Sequence, residues 1–561
     1  MKRIVECVPN FSEGRDTTVI DQIANEIRRT SGVKLLNVDP GWDTNRTVVT
    51  FAGEPEAVLE AAFNAVKKSH ELIDMRNHRG AHPRFGACDV CPLVPIRGIT
   101  MEECVELARR LGKRLGEDLD YPVYFYEYAA TRPERRNLAN VRAGEYEGLE
   151  AKLKDPQWIP DAGPAAFRPT KGATAVGARE FLIAYNVNLN TSDKKKASEL
   201  ALLIREQGYP QKDKDGKPIL DERGNKVIVP GKFKHCKAIG WYVDDYKRAQ
   251  VSINLTNYKI TSMHHVFDEL SERAREIGLR VTGSEIVGLV PKEALLMAGV
   301  HYLEKQGACA GRSEEELIRV AVQSLGLSDA APFNPKEKII EYLLEEDKGL
   351  TSLSVSGFCD ILASDAPAPG GGSVAALCGA MAASLSAMVA NLTFGKKGYL
   401  VHNTLMNETA KEAQRRKEEL LSLINDDTAS FNRVMAAMSA RKKAEKEGSD
   451  REKEQTAAEE RAALEEATVV PLKTLEKSAA LCDILRVVAE KGNDNAISDA
   501  GVGVHLVRAA AHAAALNVRI NLRNFPDTDE FKIATLERMK ELLAVAEKGA
   551  AEILAMVEKR F

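Results

Sequence analysis

The chain has 561 residues, of which 44% are hydrophobic and 29% charged, and its formal net charge is −4. This length suits about three or four domains, and the composition is that of a core-forming protein, which excludes a disordered chain. A small negative charge without a long basic block argues against nucleic acid as the main partner. The nine cysteines are scattered and odd in number, and Met1-Lys-Arg-Ile-Val leads straight into a strand pattern. We therefore expect a reduced, cytoplasmic protein.

The first 180 residues alternate strand and helix patterns. Strands are predicted at Ile4–Val8, Val33–Val38, Thr47–Phe51 and Ala87–Val94, with a helix after the N-cap Asp16 and another from Pro55 to Ile73. This βαββαβ order is typical of a ferredoxin-like unit. A capping box of Thr100 and Glu103 opens a further helix, which leads to a strand at Pro122–Tyr126.

Polar residues are concentrated in one loop of this first half. His78-Arg-Gly-Ala-His-Pro-Arg84 places two histidines and two arginines directly before the buried strand Ala87–Val94. Imidazole titrates near neutral pH and suits proton transfer, and guanidinium groups suit carboxylates. Pro83 biases His82 towards an extended backbone. The residues alone fit a reactive loop or a solvated one.

The same order of elements recurs after Gly177. Strands are predicted at Phe181–Leu189, Ala238–Val243, Gln250–Leu255 and Leu279–Ile286, with helices at Asp193–Gln207 and at Thr261–Ile277, the latter capped by Thr261. Residues 209–232 are polar and carry Asp-Gly and Pro-Gly turns, which indicate a surface insertion. We expect two related α/β subdomains, 1–180 and 181–343. The connector 160–176 fits either a plain linker or a binding loop for a flat ligand with carboxylates.

After a linker at 344–352 only helical patterns remain, so residues 353–561 are predicted to be an all-helical domain. Val374–Leu392 is almost uncharged and rich in small residues, which favours burial against other helices over a place in lipid. Asp427 is predicted to face inward, although a solvated carboxylate fits as well. His505 and His512 share a helix face, but no carboxylate or cysteine completes a ligand set, so no metal is expected.

Motifs in both parts of the chain carry a family resemblance. They are Val5–Gly14, Asp43–Thr47, His78–Arg84, Arg142–Glu147, Gly172–Arg179, Gly240–Tyr242 and Gly288–Pro291, followed by Ala368–Ala375 with the alanine-rich helix after it. The first group resembles the formiminotransferase domain, and the last resembles the cyclodeaminase domain. Two unrelated domains occur in the order found in the bifunctional formimidoyltransferase-cyclodeaminase family, across nearly the whole chain.

The resemblance implies two reactions of histidine degradation. A formimino group passes from N-formimino-L-glutamate to N5 of tetrahydrofolate, and ring closure then gives 5,10-methenyltetrahydrofolate and ammonia. By the same resemblance the transferase base falls on His82 and the cyclodeaminase carboxylate on Asp427. The family has an acidic pair two residues apart at the second site, whereas this chain has Asn425 at the first position of that pair.

The resemblance also places the folate-binding run. It falls on Gly163, Pro164, Ala165, Ala166, Phe167, Arg168, Pro169, Thr170, Lys171 and Gly172. Arg46, Arg79 and Arg84 are further predictions, made from their charge, for binding the carboxylates of the substrates.

The last predictions concern the binding partners of the chain and its alternative functions. The resemblance implies a polyglutamylated tetrahydrofolate as co-substrate and a homo-oligomer with cyclodeaminase sites between subunits. We expect no nucleic-acid or membrane partner. Three alternatives stay open: an N-formylglutamate-dependent formyltransferase, a folate-binding scaffold with a degenerate helical half, and a methenyltetrahydrofolate cyclohydrolase activity in the helical domain.

Overall fold

The structure is a computed structural model that describes residues 3–80, 82–244, 246–344 and 349–561. The chain divides into two compact units, one of residues 1–297 with 322–346 and the other of residues 298–321 with 347–561. Residues 345–348 of the predicted linker lie outside the described residues. The expected α/β region followed by a mostly helical region is confirmed.

The first half of the α/β unit contains a mixed sheet and five helices within its described residues. The strands are β1 Ile4–Cys7, β2 Asn10–Phe11, β3 Val33–Gly41, β4 Arg46–Gly53, β5 Cys88–Arg97, β6 Val123–Glu127 and β7 Thr174–Ala178. The helices are α1 Thr17–Arg29, α2 Pro55–Leu72, α3 Met101–Asp118, α4 Leu138–Arg142 and α5 Glu145–Lys152. The predicted N-cap Asp16 and the capping box of Thr100 and Glu103 are both present.

The strands of this sheet run in the order β3-β4-β1-β5-β7-β6, with the short β2 between β4 and β5. β1 is antiparallel to β4 and β5, whereas β7 is parallel to β5 and β6. β7 corrects the predicted connector, whose last residues form a strand instead of an irregular link. Its sequence, Thr-Ala-Val-Gly-Ala, is too short and too small in its side chains to signal a strand by pattern.

Side chains of the sheet alternate between two cores. Val123 and Phe125 of β6 pack in the larger core with α2 and α3, whereas Tyr124 and Tyr126 pack on the opposite face with residues of α4 and α5. This alternation follows from the two-residue period of a strand. Both faces of the sheet are therefore covered, and polar groups at strand ends are held on a rigid support.

The second half of this unit has a four-stranded antiparallel sheet in the order β11-β12-β8-β13. Its elements are β8 Ile183–Leu189, α6 Lys194–Ile204, β9 Tyr209–Pro210, β10 Ile228–Val229, β11 Cys236–Val243, β12 Arg248–Leu255, α7 Met263–Glu276, β13 Val281–Val287, α10 Pro335–Lys338 and α11 Ile340–Leu344. The helices α8 Lys292–Lys305 and α9 Glu314–Ser324 follow β13, and most of both lies in the segment 298–321 of the other unit. The predicted insertion is an exposed hairpin in which β9 pairs with β10. The predicted cap of α7 is wrong: Ser262 is the N-cap residue, and the Thr261 hydroxyl donates to the carbonyl of Lys234 at 2.6 Å.

No strand occurs among the described residues after Ser352. The helices are α12 Val355–Leu362, α13 Gly371–Thr393, α14 Asn403–Glu447, α15 Asp450–Ala479, α16 Leu481–Lys491, α17 Ile497–Asn521 and α18 Glu530–Glu558. Helices α14 and α15 meet at Gly448–Ser449, and Arg441 of α14 forms an ion pair with Glu460 of α15 at 3.0 Å.

Helix α13 is long and apolar enough to cross a membrane, but 61% of its most apolar window is buried inside the protein. It packs against α14 and α17. Alanine, glycine and serine dominate its buried positions, which allows neighbouring helices to approach closely. The expected burial of this helix against other helices is confirmed.

Candidate active sites

His82 lies in the loop between α2 and β5, and two groups approach its Nδ1 atom. The carbonyl of Pro83 is 2.7 Å away, and Nη1 of Arg46 is 3.1 Å away. A carbonyl can only accept, so this short contact assigns the ring proton to Nδ1 and leaves a lone pair on Nε2. No hydrogen-bond partner of Nε2 is found among the residues that the structure describes. His82 therefore presents a basic nitrogen.

The surroundings of His82 keep the imidazole neutral. Burial, followed by the positive charge of Arg46, lowers the pKa of His82 below its ordinary value. The carbonyl of Pro83 and the carboxylate of Asp89 oppose this effect. A lowered pKa means that the ring is unprotonated at neutral pH and can accept a proton.

Arg46, which follows the loop after β3, belongs to a buried cluster that the sequence analysis missed. Its Nη1 makes a short ion pair with Asp89, whose side chain is fully buried, and Nη2 of Arg142 binds the same carboxylate oxygen at 2.7 Å. The other oxygen of Asp89 accepts the backbone N–H of Phe85 at 3.1 Å. Asn10 holds Arg46 from the far side through Nε and Nη2. The only signal in the sequence was an aspartate inside an apolar strand.

His78, the other histidine of the loop, has both nitrogens engaged. Its Nε2 lies 2.7 Å from the carbonyl of Asn45, and its Nδ1 accepts from Nε of Arg84 at 3.1 Å. Burial lowers the pKa of His78 as well. A buried neutral imidazole with two partners has a structural role, because neither nitrogen is available to a substrate.

Arg84 is also committed to neighbours within the protein. Its guanidinium forms a bidentate pair with Glu147, at 2.7 and 2.8 Å, and contacts Glu145 at 3.3 Å. Arg79, in contrast, is exposed and donates from Nη1 to the carbonyl of His78. Both arginines line a cavity of about 450 Å³ together with Gly80, Gly144, Glu145 and Glu147. The prediction that Arg84 binds a substrate carboxylate requires the pair with Glu147 to open, whereas Arg79 faces no such obstacle.

The run 163–172 directly precedes β7 in the chain. In space it contacts the residues that follow α3 and those that precede β5. Arg168 binds Asp120 at 2.7 Å, and Nζ of Lys171 donates to the carbonyl of Leu119 at 2.6 Å. Ala87 donates to the carbonyl of Lys171, and Gly172 bridges to Gly86. The end of the run is thus paired with the chain segment that directly follows the His82 loop.

Aromatic residues connect the same run to α5. The ring of Phe167 lies 5.5 Å from that of Tyr146, whose hydroxyl donates to the carbonyl of Pro169 at 2.5 Å. Gly163 and Gly172 both have positive φ and contact backbone carbonyls that a Cβ atom would strike. Glycine is required at these two positions because only it tolerates both conditions.

In the helical unit, Asp427 of α14 meets the N-terminus of α13. Its Oδ2 accepts the hydroxyl of Ser373 at 2.9 Å, and its carboxylate also accepts the backbone N–H of that residue. A Cβ atom on Gly372 would lie 2.0 Å from Oδ1 of Asp427. The glycine-rich loop is therefore followed by a helix end that cradles a carboxylate.

Burial raises the pKa of Asp427, and the hydrogen bonds from Ser373 only partly oppose this effect. A carboxyl group whose pKa is raised holds its proton to higher pH, which suits proton donation to a leaving group. The predicted inward orientation of Asp427 agrees with these contacts. Its role in the reaction stays a prediction.

Asn425, the first position of the acidic pair that the resemblance implies, faces a different part of the unit. Its Oδ1 accepts the backbone N–H of Leu350 at 2.9 Å. Positions 425 and 427 are two apart on one helix, so their side chains diverge by roughly 200° around the axis. Asn425 therefore holds the turn before α12, while Asp427 contacts Ser373.

The whole chain is similar to known proteins. The model of the formiminotransferase domain, N-terminal subdomain, matches residues 4–179, that of the formiminotransferase domain matches 184–345, and that of formiminotransferase-cyclodeaminase matches 354–541. A formimidoyltransferase-cyclodeaminase from Dictyostelium discoideum is 43% identical over 564 residues, covering 100% of both chains. The chain belongs to the formimidoyltransferase-cyclodeaminase family.

Two further relatives match only part of this family member. A glutamate formimidoyltransferase from Streptococcus pyogenes is 42% identical over 54% of this chain and 94% of its own. A methenyltetrahydrofolate cyclohydrolase from Methylorubrum extorquens is 40% identical over 35% of this chain and 91% of its own. Each of these two relatives thus matches one part of this chain over nearly its own full length.

Proposed function

We propose that this chain catalyses both reactions of its family. It transfers a formimino group from N-formimino-L-glutamate to N5 of tetrahydrofolate and then converts 5-formiminotetrahydrofolate to 5,10-methenyltetrahydrofolate and ammonia. The observation that carries the proposal is the 43% identity over the full length of a protein that bears both names. The contacts of His82 and Asp427 supply the chemistry that each step needs.

For the transfer, His82 acts as the base. N5 of tetrahydrofolate attacks the formimino carbon, and the lone pair on Nε2 accepts the N5 proton as the new C–N bond forms. The same proton then moves to the nitrogen of the departing glutamate, whose bond to the formimino carbon breaks. A neutral imidazole is suited to both transfers, since it accepts a proton without retaining it.

For the ring closure, Asp427 acts as the acid. N10 attacks the formimino carbon on N5, and the N10 proton passes to the formimino nitrogen, so that the resulting tetrahedral carbon bears an amino group. Asp427 donates a proton to this nitrogen, because ammonia leaves whereas an amide anion does not. Loss of ammonia gives the methenyl bridge between N5 and N10. The hydroxyl of Ser373 holds the carboxylate in position for this donation.

The folate is bound along 163–172 and carries a polyglutamate tail. Phe167 and Tyr146 supply aromatic surface for a flat ring, as is common in ligand sites. Arg46, Arg79 and Arg84 are proposed for the carboxylates of the substrates, and the exposed Arg79 has the most open access. The reactions as written require no metal ion.

Further parts of the proposal concern architecture. The two transferase subdomains span 1–180 and 181–343, a linker spans 344–352 and the cyclodeaminase domain spans 353–561. Ferredoxin-like subdomains are supported by the strand orders β5-β1-β4-β3 and β13-β8-β12-β11, which place equivalent strands in equivalent positions. We also propose a cytoplasmic homo-oligomer with cyclodeaminase sites between subunits.

A paired assay tests the two activities. Formiminoglutamate and tetrahydrofolate are supplied, and glutamate, ammonia and methenyl-folate absorbance are followed in the wild type, His82→Ala and Asp427→Asn. Asp426→Asn, an adjacent carboxylate on another face of α14, and His505→Ala, an exposed histidine of α17, serve as matched controls. We expect His82→Ala to form none of the three products and Asp427→Asn to release glutamate but little ammonia. Wild type that releases glutamate without ammonia would overturn the second activity.

The similarity to a methenyltetrahydrofolate cyclohydrolase favours one additional candidate activity. Supplying 5,10-methenyltetrahydrofolate alone tests it, because hydrolysis removes the absorbance without releasing ammonia. The donor is tested separately by replacing formiminoglutamate with N-formylglutamate, which would give 5-formyltetrahydrofolate if the alternative transferase were correct.

A further inference from the structure

A buried ion cluster stands directly behind the histidine assigned as base. Arg46 and Arg142 both bind one oxygen of Asp89, and the Asp89 side chain has no solvent exposure. Two cations and one anion leave a net positive charge within the cluster. Since buried charges are costly unless they are paired, a cluster with unequal charges requires an explanation.

The cluster reaches His82 through a single guanidinium. Nη1 of Arg46 contacts both Asp89 and Nδ1 of His82. On its other side, Arg46 is anchored by the amide oxygen of Asn10, at 3.0 Å from Nε and 2.8 Å from Nη2. The cation is thus held from two directions at a fixed distance from the ring.

Asp89 also fixes the loop that carries the histidine. Its second oxygen accepts the backbone N–H of Phe85, three residues after His82. One carboxylate therefore connects strand β5, the His82 loop, the start of β4 through Arg46 and the end of α4 through Arg142. A change in the charge of Asp89 therefore alters the electrostatic environment of the His82 ring, because Arg46 contacts both side chains.

We propose that Asp89 is a positioning residue for the transferase step: it holds the guanidinium of Arg46 at 3.1 Å from Nδ1 of His82 and balances part of that positive charge. This inference rests on the proposed role of His82 as the base. Arg46 opposes a second proton on the ring, so a proton accepted at Nε2 is passed on to the departing glutamate. Asp89 limits this opposition, so the ring can still accept the proton.

The charges that face His82 come from three elements: Arg46 at the start of β4, Asp89 in β5 and Arg142 at the end of α4. They act in opposite senses on the protonated ring. Removing the anion destabilises imidazolium, whereas removing a cation stabilises it. A pH profile therefore distinguishes this electrostatic role from a loss of packing, which has no preferred sign.

The test measures glutamate release by the full-length enzyme as a function of pH. In Asp89→Asn the acid limb of kcat/KM is expected to move to lower pH, and in Arg142→Met to higher pH, each by about one pH unit. Asp161→Asn is the matched control, because Asp161 is a similarly buried carboxylate paired with Arg135 at 2.6 Å. It should lower stability without moving the limb.

The second activity of the chain reports the folding of the helical unit, and spectroscopy reports the rest of the fold. Each variant is given 5-formiminotetrahydrofolate, and ammonia release confirms that the helical unit is intact, while circular dichroism and thermal unfolding follow the α/β unit. Limbs that stay in place, or that move in the same direction in both variants, would overturn the role of Asp89. Activity retained in His82→Ala would instead overturn the proposed base, so the two failures are distinguishable.

Discussion

Gly372 offers a direct way to separate the two activities. A Cβ atom at this position would lie 2.0 Å from Oδ1 of Asp427 and 2.5 Å from its Cγ, whereas ordinary contact begins at 3.4 Å. In Gly372→Ala the carboxylate must therefore retreat by more than about 1 Å, a misplacement that typically costs about 100-fold in rate. This corresponds to about 2.7 kcal/mol in the barrier for ammonia release. Because a side chain and not backbone must move, we expect the fold to persist.

The assay supplies 5-formiminotetrahydrofolate and follows methenyl absorbance, with glutamate release from the transferase as internal reference. Gly371→Ala is the matched control, since its Cβ would meet only the amide of Asn517, at 3.4 Å. That variant should keep both activities, because alanine also favours the helix over glycine. If Gly372→Ala released ammonia at the wild-type rate, the position of the Asp427 carboxylate beside the N-terminus of α13 would not be needed for the reaction, and the reasoning would be refuted.

Three further outcomes are expected. Burial raises the pKa of Glu6 from 4.5 to about 7. The folded protein thus holds a proton that the unfolded chain releases, and stability should fall by about 3 kcal/mol as the pH rises from about 4.5 to about 7. Glu6→Gln should remove this loss, so denaturant unfolding at pH 5 and 8 should diverge only in the wild type. Replacing residues 212–226 by an Asn-Gly turn should leave both activities unchanged, because Gln211 already pairs with Val227 at 2.8 Å; loss of either activity would contradict a peripheral insertion. Asn425→Asp should change ammonia release by less than about twofold, since the acceptor for Leu350 is kept, and a several-fold gain would show that a carboxylate is missing there.

Elements with a strong local pattern were predicted well. Asp16 and the box of Thr100 and Glu103 were found in place because capping depends on residues only a few positions apart. β7 was missed, since the strand gains its stability from β5 and β6 on either side and its own residues show no alternation. The cap of α7 failed by one residue, because the hydroxyl of Thr261 found a partner in Lys234 instead.

The candidate sites divide in the same way. His82 and Asp427 were predicted from sequence motifs. Asn425 and Asp427 are two residues apart on a helix, so the sequence already indicates that their side chains point in different directions. Which of the two meets α13 depends on how α13 packs against α14. Likewise, the residues around Arg84 in the sequence do not predict its ion pair with Glu147, which is 63 residues away.

The sequence by itself determined the order of the elements, the family and the residue types available for proton transfer. These properties depend on local periodicity and on motifs that can be read along the chain. Only the tertiary structure decided that Asp89 joins Arg46 and Arg142 behind His82, and that Ser373 and Gly372 enclose Asp427. Such contacts join residues tens of positions apart, and their strength comes from burial, which no short stretch of sequence specifies.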